Sequence, residues 1–364
     1  MPANRSLTLA DVAALAGVSP ATVTRALNGH PAVRPETRAR VEAAATALGY
    51  VPDLGARALA KGRSRTIGLL IPSSRDGFWG SVTEGLEARA AEAGFATLLA
   101  ASHSDPDRER AMIELFLGKR VDGIVVGSAA GASWTSRRPF ALPMVLVSWD
   151  AVLGPELMAA AITDPIPDVL ARIRARTHKS SLAHVYTDDV DGAEQATRHL
   201  LALGHRRIAF AGLRPVRPAV LRLLGFRSAL ADAGHGPSLI LESAASLEGG
   251  MEAGRQLLEA HPRPTAVVAF DDMVGVGIIR AAHARGLRVP DDLSVVGFDD
   301  VAIAAFVEPP LTTVAQDKPQ LGSLAVDVIL ARLEGRASSI DTALPGQLVI
   351  RQSTGRCPGD QDPA

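Results

Sequence analysis

Cysteine is almost absent from this 364-residue chain, and the single Cys357 lies in a polar stretch near the C-terminus. No disulfide and no cysteine-cluster metal site can be assembled within the chain, a usage that suits a reducing compartment. Also missing is any apolar run of about 18 residues, the length a membrane-spanning helix needs. The opening MPANRSLTLADV lacks the apolar centre of a signal peptide. The expected location is the cytoplasm, with no membrane partner. HExxH, GxSxG and GxxxxGK do not occur, and the histidines are scattered without ligand spacing. Gly275-Val276-Gly277 opens like a dinucleotide loop, but Arg280 holds the third glycine position and Asp271-Asp272 stand just ahead, where phosphate would be repelled. The chain is therefore expected to be no enzyme and to need no metal or cofactor.

What is present is a globular composition, 47% hydrophobic and 21% charged, long enough for two or three domains. The net charge of −1 conceals an asymmetry. Residues 1–65 carry nine basic against four acidic side chains, a net +5 that leaves −6 for the remainder. A basic head on an acidic body suits a polyanionic partner at one end only.

The head is organised by Thr8 to Asn28, TLADVAALAGVSPATVTRALN. Leu9, Val12 and Ala13 mark one helical face; Val18, Val23, Ala26 and Leu27 mark a second. Gly17 between them can take the positive φ that a tight turn requires. Ser19 is a fitting N-cap, with Pro20 at the first helical position. This is a helix-turn-helix pattern whose second helix presents Ala21, Thr22, Thr24, Arg25 and Asn28 outward, able to reach base edges and phosphates. Pro35 to Leu48 predicts a third, covering helix, stopped by Gly49. Val51 to Gly62 predicts a short helix capped by Asp53; about two turns interrupted by Gly55 should fold only against a partner surface.

From Thr66 the texture alternates. TIGLLIP, FATLLAA, VDGIVVGS and PMVLVSWD are apolar runs suited to strands buried on both faces, with helices over Ser81 to Ala93 and Pro106 to Lys119. A second series contains RRIAFAGL, AVVAFDD and LSVVGFDD, with helices over Gly192 to Leu203, Ala219 to Ala233, Met251 to Ala260 and Met273 to Arg285. Two βα series predict two doubly wound parallel sheets, with a ligand cleft beyond the carboxyl ends of their strands.

In order, ADVAALAGVSPATVTRALNG, the PD..AR.LA segment, TIGLLIP, DDVDGAEQATRHLLALGHRRIAF (Asp188 to Phe210), RLLGFRSAL (Arg222 to Leu230), FDD at 270–272, LRVPDDLSVVGFDD (Leu287 to Asp300) and PPLTTVAQ (Pro309 to Gln316) make the chain resemble the LacI family of bacterial transcription regulators. The resemblance covers nearly the whole length. It implies a small all-α helix-turn-helix domain (1–50), a hinge helix and linker (51–65), and an α/β two-lobe domain like periplasmic binding proteins. The lobes would comprise 66–183 with 316–345, and 184–315 with 346–356, followed by a disordered tail at 357–364.

The resemblance also implies roles. Pro20, Ala21 and Arg25 would read bases, while Thr8, Ser19, Thr22, Thr24 and Asn28 would contact phosphate or position the helix. Ala56 and Leu59 match hinge residues, Leu59 being the side chain that wedges into a central minor-groove step. Phe78, Trp79, Ser148, Arg222, Asp271 and Asp299 would bind a small sugar-like effector, with Asp188 and Asp272 in supporting positions. Partners would be a pseudo-palindromic double-stranded operator, the effector and a second copy of the chain, which would form a homodimeric repressor. A solute-binding receptor of a sugar transporter is the alternative for the same two-lobe fold; the basic head and missing signal peptide stand against it. The sequence departs from the family pattern at Asp53 and Asp271, where asparagine is common, at Ser148, where aspartate is common, and at Pro218. Ala151 to Ala183 is longer than the usual lobe connection, and PDVLARIRART within it could be pocket lid, dimer contact or decoration.

Overall fold

The computed structural model describes residues 7–51, 63–127, 142–148, 153–177, 182–236, 238–336 and 341–358. The hinge assignments to Asp53, Ala56 and Leu59 therefore lie outside the described residues. The chain divides into two compact units, Met1–Ser64 and Arg65–Ala364. Among the described residues, no helix is long and apolar enough to cross a membrane.

Among its described residues the first unit holds three helices, α1 (Leu9–Ala16), α2 (Pro20–Leu27) and α3 (Pro35–Leu48). Thr8 and Asp11 fasten the start of α1, the Thr8 backbone N–H and hydroxyl both donating to Asp11 Oδ2 at 2.8 and 2.7 Å. Gly17 ends α1 at φ 63°, the conformation that turns the chain into α2. Ser19 Oγ then accepts from Thr22 N–H at 3.2 Å and caps α2. The core is Val12, Ala13, Ala16, Val23, Ala26, Val41, Ala44 and Ala45. Its many alanines let three short helices approach closely around three valines.

The second unit is two six-stranded sheets, each flanked by helices. The first sheet runs β11-β5-β4-β3-β1-β2, from β1 (Thr66–Ile71), β2 (Ala96–Ala101), β3 (Gly123–Val126), β4 (Met144–Val147), β5 (Ala183–Thr187) and β11 (Asp341–Leu344), all parallel. The second runs β12-β10-β9-β8-β6-β7, from β6 (Ile208–Leu213), β7 (Ile240–Glu242), β8 (Ala266–Ala269), β9 (Ser294–Asp299), β10 (Thr312–Ala315) and β12 (Gln347–Val349). Among the described strands only β12 runs antiparallel, against β10 at its edge. The helices are α4 (Gly77–Glu92), α5 (Pro106–Gly118), α6 (Pro155–Thr163), α7 (Ile166–Thr177), α8 (Asp189–Ala202), α9 (Arg217–Asp232), α10 (Leu247–Glu259), α11 (Asp272–Ala284), the single turn α12 (Ile303–Phe306) and α13 (Lys318–Leu333).

Several expectations are adjusted. FATLLAA forms β2, but as the last strand of its sheet it is half-exposed, with Leu99 45% accessible. α4 starts at Gly77 instead of Ser81, because Asp76 Oδ1 accepts from Phe78 N–H at 2.9 Å and opens the helix earlier. β5 belongs wholly to the first sheet, so the chain crosses between lobes at Asp188 and not ahead of 184. It crosses back between β10 and α13 and once more between β11 and β12. Cys357 does not begin a free tail: its N–H donates to Leu203 O at 2.9 Å. α13 packs on α4 at the glycine pair Gly85 and Gly322, where an added Cβ would fall 2.0 Å from Pro319 O and 2.1 Å from Val82 O.

Candidate functional site

Parallel sheets place their loops at the carboxyl ends of the strands, and the cavity of the second unit lies there. It has a volume of about 540 Å³ and is lined by residues that follow or end six strands: Ser73, Ser148, Thr187, Arg214, Asp271 and Asp299 among them. All six predicted effector residues, Phe78, Trp79, Ser148, Arg222, Asp271 and Asp299, meet in it, as does Pro218.

The aromatic wall comes from the first turn of α4. Phe78 and Trp79 meet edge to face, with centroids 5.1 Å apart. Trp79 is seated against backbone, since a Cβ on Gly127 would fall 1.9 Å from its ring. The ring is therefore held by the end of β3, a rigid flat surface that binding need not reorder.

Opposite stands Arg222 of α9, 5% exposed. Its Nε donates to Asp189 Oδ1 at 2.9 Å, one Nη donates to Phe270 O, and the other to Asp299 Oδ1 at 3.3 Å. Its guanidinium carbon lies 3.6 Å from the Phe298 ring centroid and 4.7 Å from that of Phe270. A guanidinium has five N–H groups, so two remain for a ligand once these bonds are made. Asp299 is held in turn by Gln316 Nε2, and Lys318 Nζ donates to the carbonyls of Asp299 and Asp300. Both aspartates have positive φ, 105° and 53°, so the strand end is turned in a way L-residues adopt only when their surroundings impose it.

Asp271 caps α11, its Oδ1 accepting from Val274 N–H at 2.7 Å. Asp272 accepts from Val301 N–H at 2.8 Å and from the Thr313 hydroxyl, the supporting position expected of it. Burial pushes Asp271 up to about 6 and Asp272 up to about 7. Burial raises Asp299 well above the usual carboxylate range against the pull of Arg222, with Asp271 and Asp272 adding to the rise. Burial raises Asp189 as well, again opposed by Arg222. Two hydroxyls in the lining, Ser148 Oγ and Thr187 Oγ1, are buried with no hydrogen-bond partner among the described residues. An unpaired buried hydroxyl costs about 1–3 kcal/mol, which a ligand hydroxyl would recover.

Sequence reasoning missed Asp189, Thr187 and Gln316. Asp188 was singled out in the same DDVDG run, but it caps α8 through Asp191 N–H at 3.1 Å, and its neighbour Asp189 reaches Arg222. Gln316 closes the PPLTTVAQ run, whose local pattern carries no sign that its side chain reaches Asp299.

In the first unit, Thr8, Ser19, Pro20, Ala21, Thr24, Arg25 and Asn28 are exposed and Thr22 is half-buried. The Thr22 hydroxyl lies 2.9 Å from Ser19 Oγ, Thr24 Oγ1 donates to Pro20 O at 3.1 Å and Asn28 Nδ2 to Thr24 O at 2.8 Å. These local bonds set rotamers in advance, leaving one outward surface on α2 with Arg25 as its cation.

Residues 8–53 match the family of bacterial regulatory proteins, lacI family, and residues 197–354 match a periplasmic binding protein-like domain. The HTH-type transcriptional regulator DegA of Bacillus subtilis is 34% identical over 95% of this chain and 98% of its own. The chain belongs to the LacI family. The ribose operon repressor of Escherichia coli is 34% identical over 90% of this chain and 93% of its own. Among solved structures, the lac repressor dimer bound to operator and the anti-inducer ONPF superposes with a TM-score of 0.82 at 29% identity, covering 96% of this chain and 100% of that one. A transcriptional regulator CelR-cellobiose complex gives a TM-score of 0.68 at 30% identity over 95% and 99%. Membership in a family of regulators that carry this head decides against the solute-receptor alternative.

Proposed function

We propose that this chain is a homodimeric, sequence-specific transcription repressor whose operator affinity is set by a small sugar-like effector bound between the lobes. The observation that carries this reading is the union, in one chain related along its length to named repressors, of an exposed α2 surface with a cavity that joins an aromatic wall to carboxylates, a guanidinium and two hydroxyls unpaired among the described residues. Sugars are bound by that combination, a flat apolar face stacking on the ring while polar groups take its hydroxyls. One helix-turn-helix spans a half-site, so two copies related by a two-fold axis read a pseudo-palindrome. On this reading Pro20, Ala21 and Arg25 address bases, Thr8, Ser19, Thr22, Thr24 and Asn28 set the helix on the phosphates, and Ala56 and Leu59 enter the minor groove between half-sites. Phe78, Trp79, Ser148, Arg222, Asp271 and Asp299 receive the effector.

Selection of bound duplexes from a random library with the full chain, followed by thermal-shift screening of sugars, tests both halves. A pseudo-palindrome should be enriched, with affinity falling steeply as salt rises because counterions are released. A ligand at 100 times its dissociation constant adds about 2.7 kcal/mol of stability and should weaken the operator complex. Enrichment of no symmetric site, or a stabilising sugar that leaves operator affinity unchanged, refutes the proposal.

A further inference from the structure

The long connection at 153–177 is, by topology, the crossover between β4 and β5, which pair in parallel within the first sheet. Its bonds nevertheless reach the second lobe. Leu153 N–H donates to Pro215 O at 2.9 Å, in the loop that enters α9. Arg227 of α9 donates from Nη1 to Ala161 O at 2.6 Å and Asp164 O at 3.1 Å, closing the C-terminal end of α6. The apolar faces of α6 and α7 tell the same story. Leu153, Leu157, Ala161, Val169 and Ile173, each at most 3% exposed, belong to one cluster with Phe116 and Leu146 of the first lobe and Val220 and Leu224 of α9.

No residue of 153–177 is among those lining the cavity, so the segment does not cover the effector. It lies instead behind the helix that presents Pro218 and Arg222 to the cavity. We propose that 153–177 is an interlobe strut: a crossover of the first lobe that grips α9 of the second, fixing the pose of Arg222 and restraining the lobes from opening. Arg227 is its positioning residue. Opening the lobes would separate packed apolar surface and strand the carbonyls of Ala161 and Asp164, so the free protein stays near one lobe arrangement. Pre-organisation of this kind lowers the ordering cost of binding and narrows the range of poses an effector can select. The inference concerns the protein without ligand and stands whether or not the effector is a sugar.

The test uses the full chain in a Cys357→Ser background, with spin labels at Glu87→Cys and Asp291→Cys, both exposed positions, one on each lobe. Labelled chain is diluted into excess unlabelled chain, and the interlobe distance distribution is measured without ligand. Arg227→Lys, which can still donate to both carbonyls, should keep a single narrow distribution. Arg227→Met should broaden it, with amide exchange in α6 about tenfold faster, as loss of a charge-assisted bond implies. Leu157→Ala, which trims the apolar face without touching Arg227, should broaden it too and serves alone if Arg227→Met fails to fold. Faster exchange in α6 with an unchanged interlobe distribution overturns the strut and leaves the segment an ornament of one lobe.

Discussion

Arg222 binds effector on the proposed reading, but the geometry gives it a second duty that a mutation will expose first. Asp189 is 5% exposed and its partner among cations is Arg222, with Asp299 beside it. Replacing Arg222 by Met keeps most of the side-chain volume while leaving two carboxylates without their guanidinium. Removing one partner of a buried ion pair costs about 3–5 kcal/mol, because the charge left behind has neither water nor counter-charge. For a unit of this size that is roughly 6–10 °C in Tm, at about 2 °C per kcal/mol.

The penalty has a pH signature with a definite sign. Burial already raises Asp189 and Asp299, and Arg222 is the main group that opposes the rise, helped at Asp189 by Arg217. Without it both folded-state values climb further, so the folded variant binds protons more tightly than the unfolded chain. Such a contribution is fully present below the unfolded value near 3.8 and is lost as pH rises through the raised folded value. Arg222→Met should therefore approach wild-type stability near pH 4 to 5 and diverge from it toward pH 8. Adding Asp189→Asn should recover about 2 kcal/mol or more at pH 7.5, since the stranded charge is gone. Thermal melts of the three proteins at fixed chain concentration, across pH 4.5 to 8, check this. A single variant within about 1 kcal/mol of wild type at pH 7.5, or a double variant no better than the single, would refute the account of Arg222 as a buried counter-ion.

Asp272, raised to about 7 by burial, should make the second lobe lose stability as pH rises from about 4 to 8. Asp272→Asn, whose amide can accept from Val301 N–H and donate to a rotated Thr313 hydroxyl, should flatten that slope in the same melts. Gly127→Ala drives a methyl into the Trp79 ring and should cost about 1–3 kcal/mol, shift tryptophan emission, and weaken a ring-stacking effector more than it weakens operator binding. Arg25→Ala should cost about 1–3 kcal/mol against the selected operator while leaving effector affinity unchanged, as titration of duplex and of ligand would show.

What could be read in the sequence was whatever is encoded within one turn or one strand. The capping of α2 by Ser19, the turn at Gly17 and the apolar runs of β1, β3, β6 and β8 are local signals, and each appears where its residues predict. The six positions assigned to an effector came from the family resemblance, and they line one cavity, five of them at strand ends or helix starts and Arg222 inside α9. Asp189 did not, because its role depends on which of two adjacent aspartates α8 turns toward α9. Nor could the apolar period of FATLLAA distinguish an edge from an interior strand, since the neighbour that would cover it is a matter of sheet order. The place of 153–177 was hidden for the same reason. Its PDVLARIRART run suggests one helix, matching α7, and α6 ahead of it is seen only in the structure, while the surface both cover belongs to α9, beyond β5 and a whole helix further along the chain.

Asp299 is where these long-range arrangements converge. Its carboxylate faces the cavity and is held by Arg222 of the second lobe and by Gln316, the first residue after β10 on the way back to the first lobe. Its carbonyl and that of Asp300 are held by Lys318, the first residue of α13, which packs against α4 and so against the helix that carries Phe78 and Trp79. A ligand that takes a hydrogen bond at Asp299 therefore competes with contacts that bind the crossing strand to both lobes. Effector control requires a coupling of only about 1–3 kcal/mol between sites. One or two hydrogen bonds to charged groups, at about 1.5–3 kcal/mol each, are of that size. The positive φ of Asp299 and Asp300 makes the local arrangement one that persists only while its partners are in place, so exchanging a partner for ligand can shift the strand end as a unit. On the proposed reading, an effector that replaces one of these partners would be felt at the lobe crossing without requiring a large motion of the sheets themselves.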